Sequence, residues 1–134
     1  MPCDYVIHKA QRLVITSAVG VVTFEEMKAH QERLRKDPEF DLEFNQLIDA
    51  SAATEVDLNR SGAQELTQRN IFSPKSKRAL VAIKPAIFGI GRLLLTYLEM
   101  SDSPSQTHAF YELAPALQWL GLDALPDPPE KTEP

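Results

Sequence analysis

A chain of 134 residues is long enough for one domain with a real core and too short for two ordinary ones. Hydrophobic residues make up 43% and charged residues 25%, an ordinary globular composition that excludes a disordered or fibrous chain. The formal net charge is -5, but Asp123, Asp127, Glu130 and Glu133 stand against Lys131 alone near the C-terminal end, which leaves a body too near neutral to argue for a nucleic-acid or membrane field.

The opening stretch pairs two β-rich segments, Tyr5 to His8 and Arg12 to Thr16, across Lys9-Ala10-Gln11, the pattern of a hairpin. The second strand is expected to reach Val19, with Gly20 making a turn or bulge before Val21-Val22. Thr23-Phe24-Glu25-Glu26 has the spacing of a capping box, and the helix it opens should run to about Lys36, with Met27, His30, Gln31 and Leu34 near one face. Asp37-Pro38 stops it, because proline disfavours a helical residue before it. Phe40 and Phe44 should pin the following loop to the core.

Gln46 to Ala50 reads as a buried central strand whose apolar run ends at Asp49, with small residues filling a loop up to Val56-Asp57-Leu58. Asn59 or Ser61 can cap a second helix over roughly Asn59 to Phe72. Arg78 to Lys84 is expected as an interior strand, and Pro85 as the first turn of a helix to about Met100. That helix is apolar nearly all round, so something should cover its outer side, the terminal helix with Trp119 being one candidate. Gln106 to Glu112 reads as the last strand, and Leu113 to Leu120 as a short helix stopped by Gly121. Residues 1–121 then form the domain, and 122–134 a disordered, acidic, proline-rich tail.

The order β-β-α-β-α-β-α-β-α, the strand ending in Asp49 with a second Asp57 before a helix, and the closing His108-Ala109-Phe110-Tyr111 followed by a Leu/Trp helix resemble the STAS-like family, the anti-sigma-factor-antagonist-type domains. The resemblance implies an α/β single-domain STAS-like fold, a mixed central sheet of about five strands with about four helices packed against it. It implies a non-enzymatic, cytoplasmic, bacterial protein-interaction module. It also places a phosphorylatable serine directly after the second Asp, where this chain carries Leu58. A phospho-switch at that position is therefore not available, and Ser61 is the nearest hydroxyl that could replace it.

The expected partner-binding residues are Asp57, Leu58, Asn59 and Ser61, together with Lys75, Lys77 and Arg78 from a basic loop that could receive an acidic surface. The plainer reading makes Asp57, Asn59 and Ser61 helix caps and the basic residues a solvated loop. On the apolar helix, Phe88, Gly89, Gly91, Arg92 and Leu95 are the expected ligand or dimer face, since two glycines inside a helix each cost about 1 kcal/mol against alanine unless close approach requires them. A homodimer through Pro85–Met100 is one outcome, and a cleft for a small apolar, lipid-like molecule is the alternative function.

His8, His30 and His108 show no metal-ligand spacing and read as surface or edge residues, so no metal, cofactor or catalytic residue is assigned. An enzyme of hydrolase type, assembled from distant carboxylates and histidines, stands third. Cys3 is the single cysteine, which fits a reducing cytoplasm and no disulfide framework. The first twenty residues show no leader pattern. The longest apolar stretch, Pro85 to Leu98, carries Arg92 and falls short of the roughly 20 residues of a membrane span. The expectation is thus no nucleic acid, no membrane insertion and an unidentified protein partner.

Overall fold

Two strands, β1 (Cys3–His8) and β2 (Leu13–Thr23), pair antiparallel around a single helical turn at Lys9–Gln11, closed by Arg12 in the left-handed region at φ 54. The structure is a computed structural model and describes residues 2–101 and 104–127. The remaining elements alternate as expected: α1 (Phe24–Lys36), β3 (Asn45–Asp57), α2 (Arg60–Gln68), β4 (Lys77–Val81), α3 (Pro85–Glu99), β5 (Gln106–Phe110) and α4 (Leu113–Trp119). The strands form one five-stranded sheet in the order β1-β2-β3-β4-β5, and every pair after the first is parallel. Crossover helices are what such parallel neighbours require.

Gly20 is a bulge, not a turn. It lies inside a continuous β2 at φ +70, and the β2/β3 register shifts there and between Ser17 and Val19. The capping box is present: Glu26 N–H donates to Thr23 Oγ1 at 3.3 Å and the Glu26 carboxylate accepts from Thr23 N–H at 3.3 Å.

The central strand departs from the sequence reading. Asp49 does not end it, and Ser51 to Val56, expected as a loop, continue β3 to Asp57. The cause is β2, whose length offers a parallel partner from Leu13↔Asn45 to Thr23↔Asp57, while β4 pairs only up to Asp49↔Val81. Alanines of weak strand propensity are held extended by that ladder. Helix α2 ends at Gln68 and β4 at Val81, both earlier than expected.

Alternation along the strands separates two faces. Val14, Thr16, Ile48, Arg78 and Leu80 point toward α1, α2 and α3, while Leu13, Leu47, Ala79 and Val81 meet Ala116, Leu117 and Leu120 of α4. The terminal helix with Trp119 therefore does not cover α3; it lies on the opposite face, where Trp119 approaches His108 and Phe110. Helix α3 turns Ile87, Gly91 and Leu98 inward and leaves Gly89, Arg92, Leu93 and Thr96 exposed. Leu122 still packs on α4, its N–H donating to Leu117 O at 2.8 Å, although the expected tail begins there. Residues 128–134 of that tail lie outside the described residues.

Candidate functional site: a cavity between the sheet and three helices

Between the sheet and α1 to α3 lies a cavity of about 170 Å3. Its walls are mostly apolar: Ala18 and Val22 from β2, Ile48 and Ala50 from β3, Leu80 from β4, and Ile87, Leu94 and Leu95 from α3. Gly91 belongs to this wall, because a Cβ there would run into the side chain of Leu80. The two glycines of α3 thus differ in kind. Gly91 allows the close approach of helix to sheet, whereas nothing lies within 4 Å of where a Gly89 Cβ would stand.

One region of the wall is polar, formed by Thr16, His30, Gln31, Gln46, Thr67 and Arg78. Four of these form a directed chain. The Arg78 Nε–H donates to Gln46 Oε1 at 2.9 Å, and Arg78 has only donors, so the Gln46 amide is fixed with its nitrogen toward Thr16. Gln46 Nε2 donates to Thr16 Oγ1 at 2.9 Å, and Thr16 Oγ1 lies 3.1 Å from His30 Nε2. The Thr16 oxygen accepts from Gln46 and has both a second lone pair and a proton left, so it partners His30 Nε2 in either tautomer of the ring.

The electrostatics agree. Burial, helped by the positive charges of Arg33 and Arg78, pulls His30 down to about 4 against an ordinary 6.5, so the ring is neutral at pH 7. His30 and His8, expected as surface or edge residues, are buried at 7% and 6% exposure, His8 on the edge strand β1. For His30 the reason is its place on the inner face of α1 beside Leu34, with Tyr5 edge-on at 5.5 Å.

Arg78 is the departure with most consequence for function. It was expected to open the strand from Arg78 to Lys84 and, with Lys75 and Lys77, to meet a partner or solvent; it does lie in β4, but its guanidinium is desolvated, 4.6 Å over the ring of Phe72. Desolvation brings it down to about 10, which leaves it charged at pH 7. Its Nη1 donates to Asn70 Oδ1 at 2.9 Å. Among the described residues no carboxylate pairs with it; the ion pairs join Lys9 to Glu39, Lys28 to Glu65, Arg33 to Asp4, and Arg35 and Arg69 to Glu32. Gln31 Oε1 is a second oddity, a buried acceptor without a donor among the described residues.

A second groove, of about 340 Å3, runs between α3 and β5, lined by Phe88, Arg92, Leu95, Glu99 and Thr107. Of the expected ligand or dimer face, Gly91 and Leu95 reach the cavity, Phe88, Arg92 and Leu95 line the groove, and Gly89 faces outward. Phe88 is stacked on Tyr111 at 3.9 Å between ring centroids. Among the described residues no group of three metal-ligating side chains comes together.

No protein-family model matches the sequence, and none of the curated proteins matches it. Among solved structures, it is similar to an uncharacterised protein of the DUF3478 family with a SpoIIAA-like fold, from Shewanella loihica PV-4. That structure shares 18% identity at a TM-score of 0.56, over 88% of this chain and 91% of that one. The chain has a STAS-like fold.

Within the STAS-like fold the expected partner-binding residues fall into two places. Asp57, Leu58, Asn59 and Ser61 stand at the C-terminal end of β3, with Asp57, Asn59 and Ser61 exposed. Asn59, rather than Ser61, caps α2, its Oδ1 accepting from Gly62 N–H at 2.8 Å. Lys77 and Arg78 stand at the other end of the sheet, because Arg78 pairs with Gln46 near the start of β3. At about 3.3 Å per residue the two groups are roughly 35 Å apart along the strand, at opposite ends of the sheet. Lys77 and Arg78 also leave β4 on opposite faces; the Lys77 ammonium lies 5.6 Å over Trp119 while Lys75 is exposed. Among the described residues no helix is long and apolar enough to cross a membrane.

Proposed function

We propose that this STAS-like chain is a non-enzymatic binding module that takes a small apolar molecule into the cavity between the sheet and α1 to α3. The cavity carries this reading: an apolar void of about 150 Å3 is known to accept a benzene-sized guest, and 170 Å3 with mostly aliphatic walls is of that class. A binding role is favoured over a catalytic one because Thr16, Gln46 and Arg78 bond one another and His30, neutral at pH 7, lies against Thr16.

The test uses the full chain purified gently and sprayed under native conditions, with 2-phenylethanol as a neutral probe in a parallel thermal-shift series. The expected result is a retained small mass or a melting temperature that rises with the alcohol. Bare chain mass together with no response to the alcohol would remove the reading. The same spectrum counts subunits, and a monomer alone would count against the expected homodimer through Pro85–Met100.

A second reading keeps a protein partner at the end of β3. It is favoured by Val19 and Val21, which are 53% and 50% exposed on the part of β2 that pairs with β3 near Asp57. In this reading a cytoplasmic bacterial partner docks on Asp57, Asn59 and Ser61, without phosphorylation at Leu58. Asp57→Lys would release a partner that Leu58→Ser retains; capture unaffected by Asp57→Lys would count against it.

A further inference from the structure

We propose that the cavity binds a compact apolar molecule carrying one carboxylate, with Arg78 as its counter-charge. This rests on the reading of the cavity as a ligand site. Arg78 lines the cavity, yet the structure gives it neutral partners only, Gln46 and Asn70, and the face of Phe72. Arg78 is half-buried, and a charge largely desolvated and left without an opposite charge is costly, for which a paired anion is the usual resolution. Within the described residues that anion is absent, and Nη2 makes no hydrogen bond.

The geometry also selects the anion. Nε and Nη1 are occupied, and Gln46 and Asn70 hold the guanidinium plane in place, so the free Nη2 edge is pre-oriented for an acceptor. Guanidinium and carboxylate match in shape and form charge-assisted hydrogen bonds. The other ionisable groups at the wall are His30, which is neutral, and Cys3, whose thiol burial and Glu26 push upward and so keep protonated. The cavity therefore offers one positive charge. A monoanion balances it; a phosphate monoester would leave surplus negative charge among Ile48, Leu80 and Leu95. The volume of about 170 Å3 limits the body to a ring or a short alkyl chain.

Titration of the full chain with phenylacetate, 2-phenylethanol and phenyl phosphate separates these terms. Phenylacetate is expected to bind at least tenfold tighter than the alcohol and tighter than the phosphate. Arg78→Met should erase the preference for acid over alcohol while the alcohol still binds. Where Arg78→Met does not fold, Arg78→Lys keeps the charge without the fork and should weaken phenylacetate severalfold. Equal binding of acid and alcohol by the wild type overturns the inference and leaves the cavity reading standing. Tighter binding of phenyl phosphate overturns the monoanion. Binding of none of the three removes the cavity reading and this inference with it.

Discussion

Arg78 and Gln46 face each other across the parallel pairing of β4 and β3, and the Arg78 Nε–H reaches Gln46 Oε1 at 2.9 Å. That one bond sets the orientation of the Gln46 amide, which presents its nitrogen to Thr16 and so links Arg78 to the hydroxyl beside His30. Nitrogen chemical shifts of the His30 imidazole should show a neutral ring at pH 7 and at pH 5.5, because burial pulls it down to about 4. A ring protonated on both nitrogens at pH 5.5 would contradict that burial.

Gln46→Leu keeps the volume and removes the amide that bonds Arg78 on one side and Thr16 on the other. It leaves the Arg78 Nε–H and the Thr16 hydroxyl without their partner inside the protein, a loss of about 1–3 kcal/mol. Urea unfolding should show the midpoint falling with little change in slope. A neutral result would mean that water replaces the amide.

The acid limb of stability should carry the mark of His30. Its folded value lies at about 4 and its ordinary value at 6.5, so between these the unfolded chain binds a proton that the folded chain refuses. Stability is therefore full above about pH 6.5, falls as the pH drops toward 4, and levels off below. The shift corresponds to about 3 kcal/mol. Comparing unfolding at pH 7.5 and 4.5 for the wild type and His30→Leu isolates the contribution, since the carboxylates are common to both. An unchanged slope in the variant would show that His30 is not the group responsible.

The glycines of α3 should respond in opposite directions. Gly89→Ala meets open space and gains helix propensity, about 0.5–1 kcal/mol of stability. Gly91→Ala forces Leu80 to turn into the cavity, with an overpacking cost of about 1–3 kcal/mol and less room for a guest. Melting temperatures in the order Gly89→Ala, wild type, Gly91→Ala, from high to low, are the expected result. A stabilising Gly91→Ala would mean that Leu80 adjusts freely.

Thr23→Ala removes the side-chain half of the capping box at the start of α1, because Thr23 Oγ1 accepts from Glu26 N–H and donates to the Glu26 carboxylate at 2.9 Å, while the Thr23 N–H still donates to Glu26. The loss should be about 0.5–2 kcal/mol. A variant as stable as the wild type would show that Glu26 alone suffices.

Periodicity carried the order of elements, because each helix and strand here has an apolar face of the right repeat. The same logic could have placed Arg78. In Arg78-Ala79-Leu80-Val81 alternate residues share a face, which puts Arg78 beside Leu80 on the side toward the helices. Counting it with Lys75 and Lys77 as a charge cluster hid that. His30 gave a similar signal, standing one helical turn from Met27 and Leu34. The extension of β3 through Ser51 to Val56 had no local signal, since serine, alanine and threonine fit a loop as well and only the neighbouring β2 holds them straight. Nor could composition reveal the cavity, which is a property of how far the helices stand off the sheet.

That extended half of β3 has a further meaning for how the molecule opens. Beyond Asp49 it keeps one neighbour, β2, while Ala52, Thr54 and Glu55 stand exposed. Toward Leu47 the same strand lies between two partners and under two helical layers. Opening costs least where fewest contacts must break, so amide exchange should start at the Asp57 end and reach Leu47 last. The protein would loosen from its far tip inward while the neighbourhood of Gln46 and Arg78 stays shut.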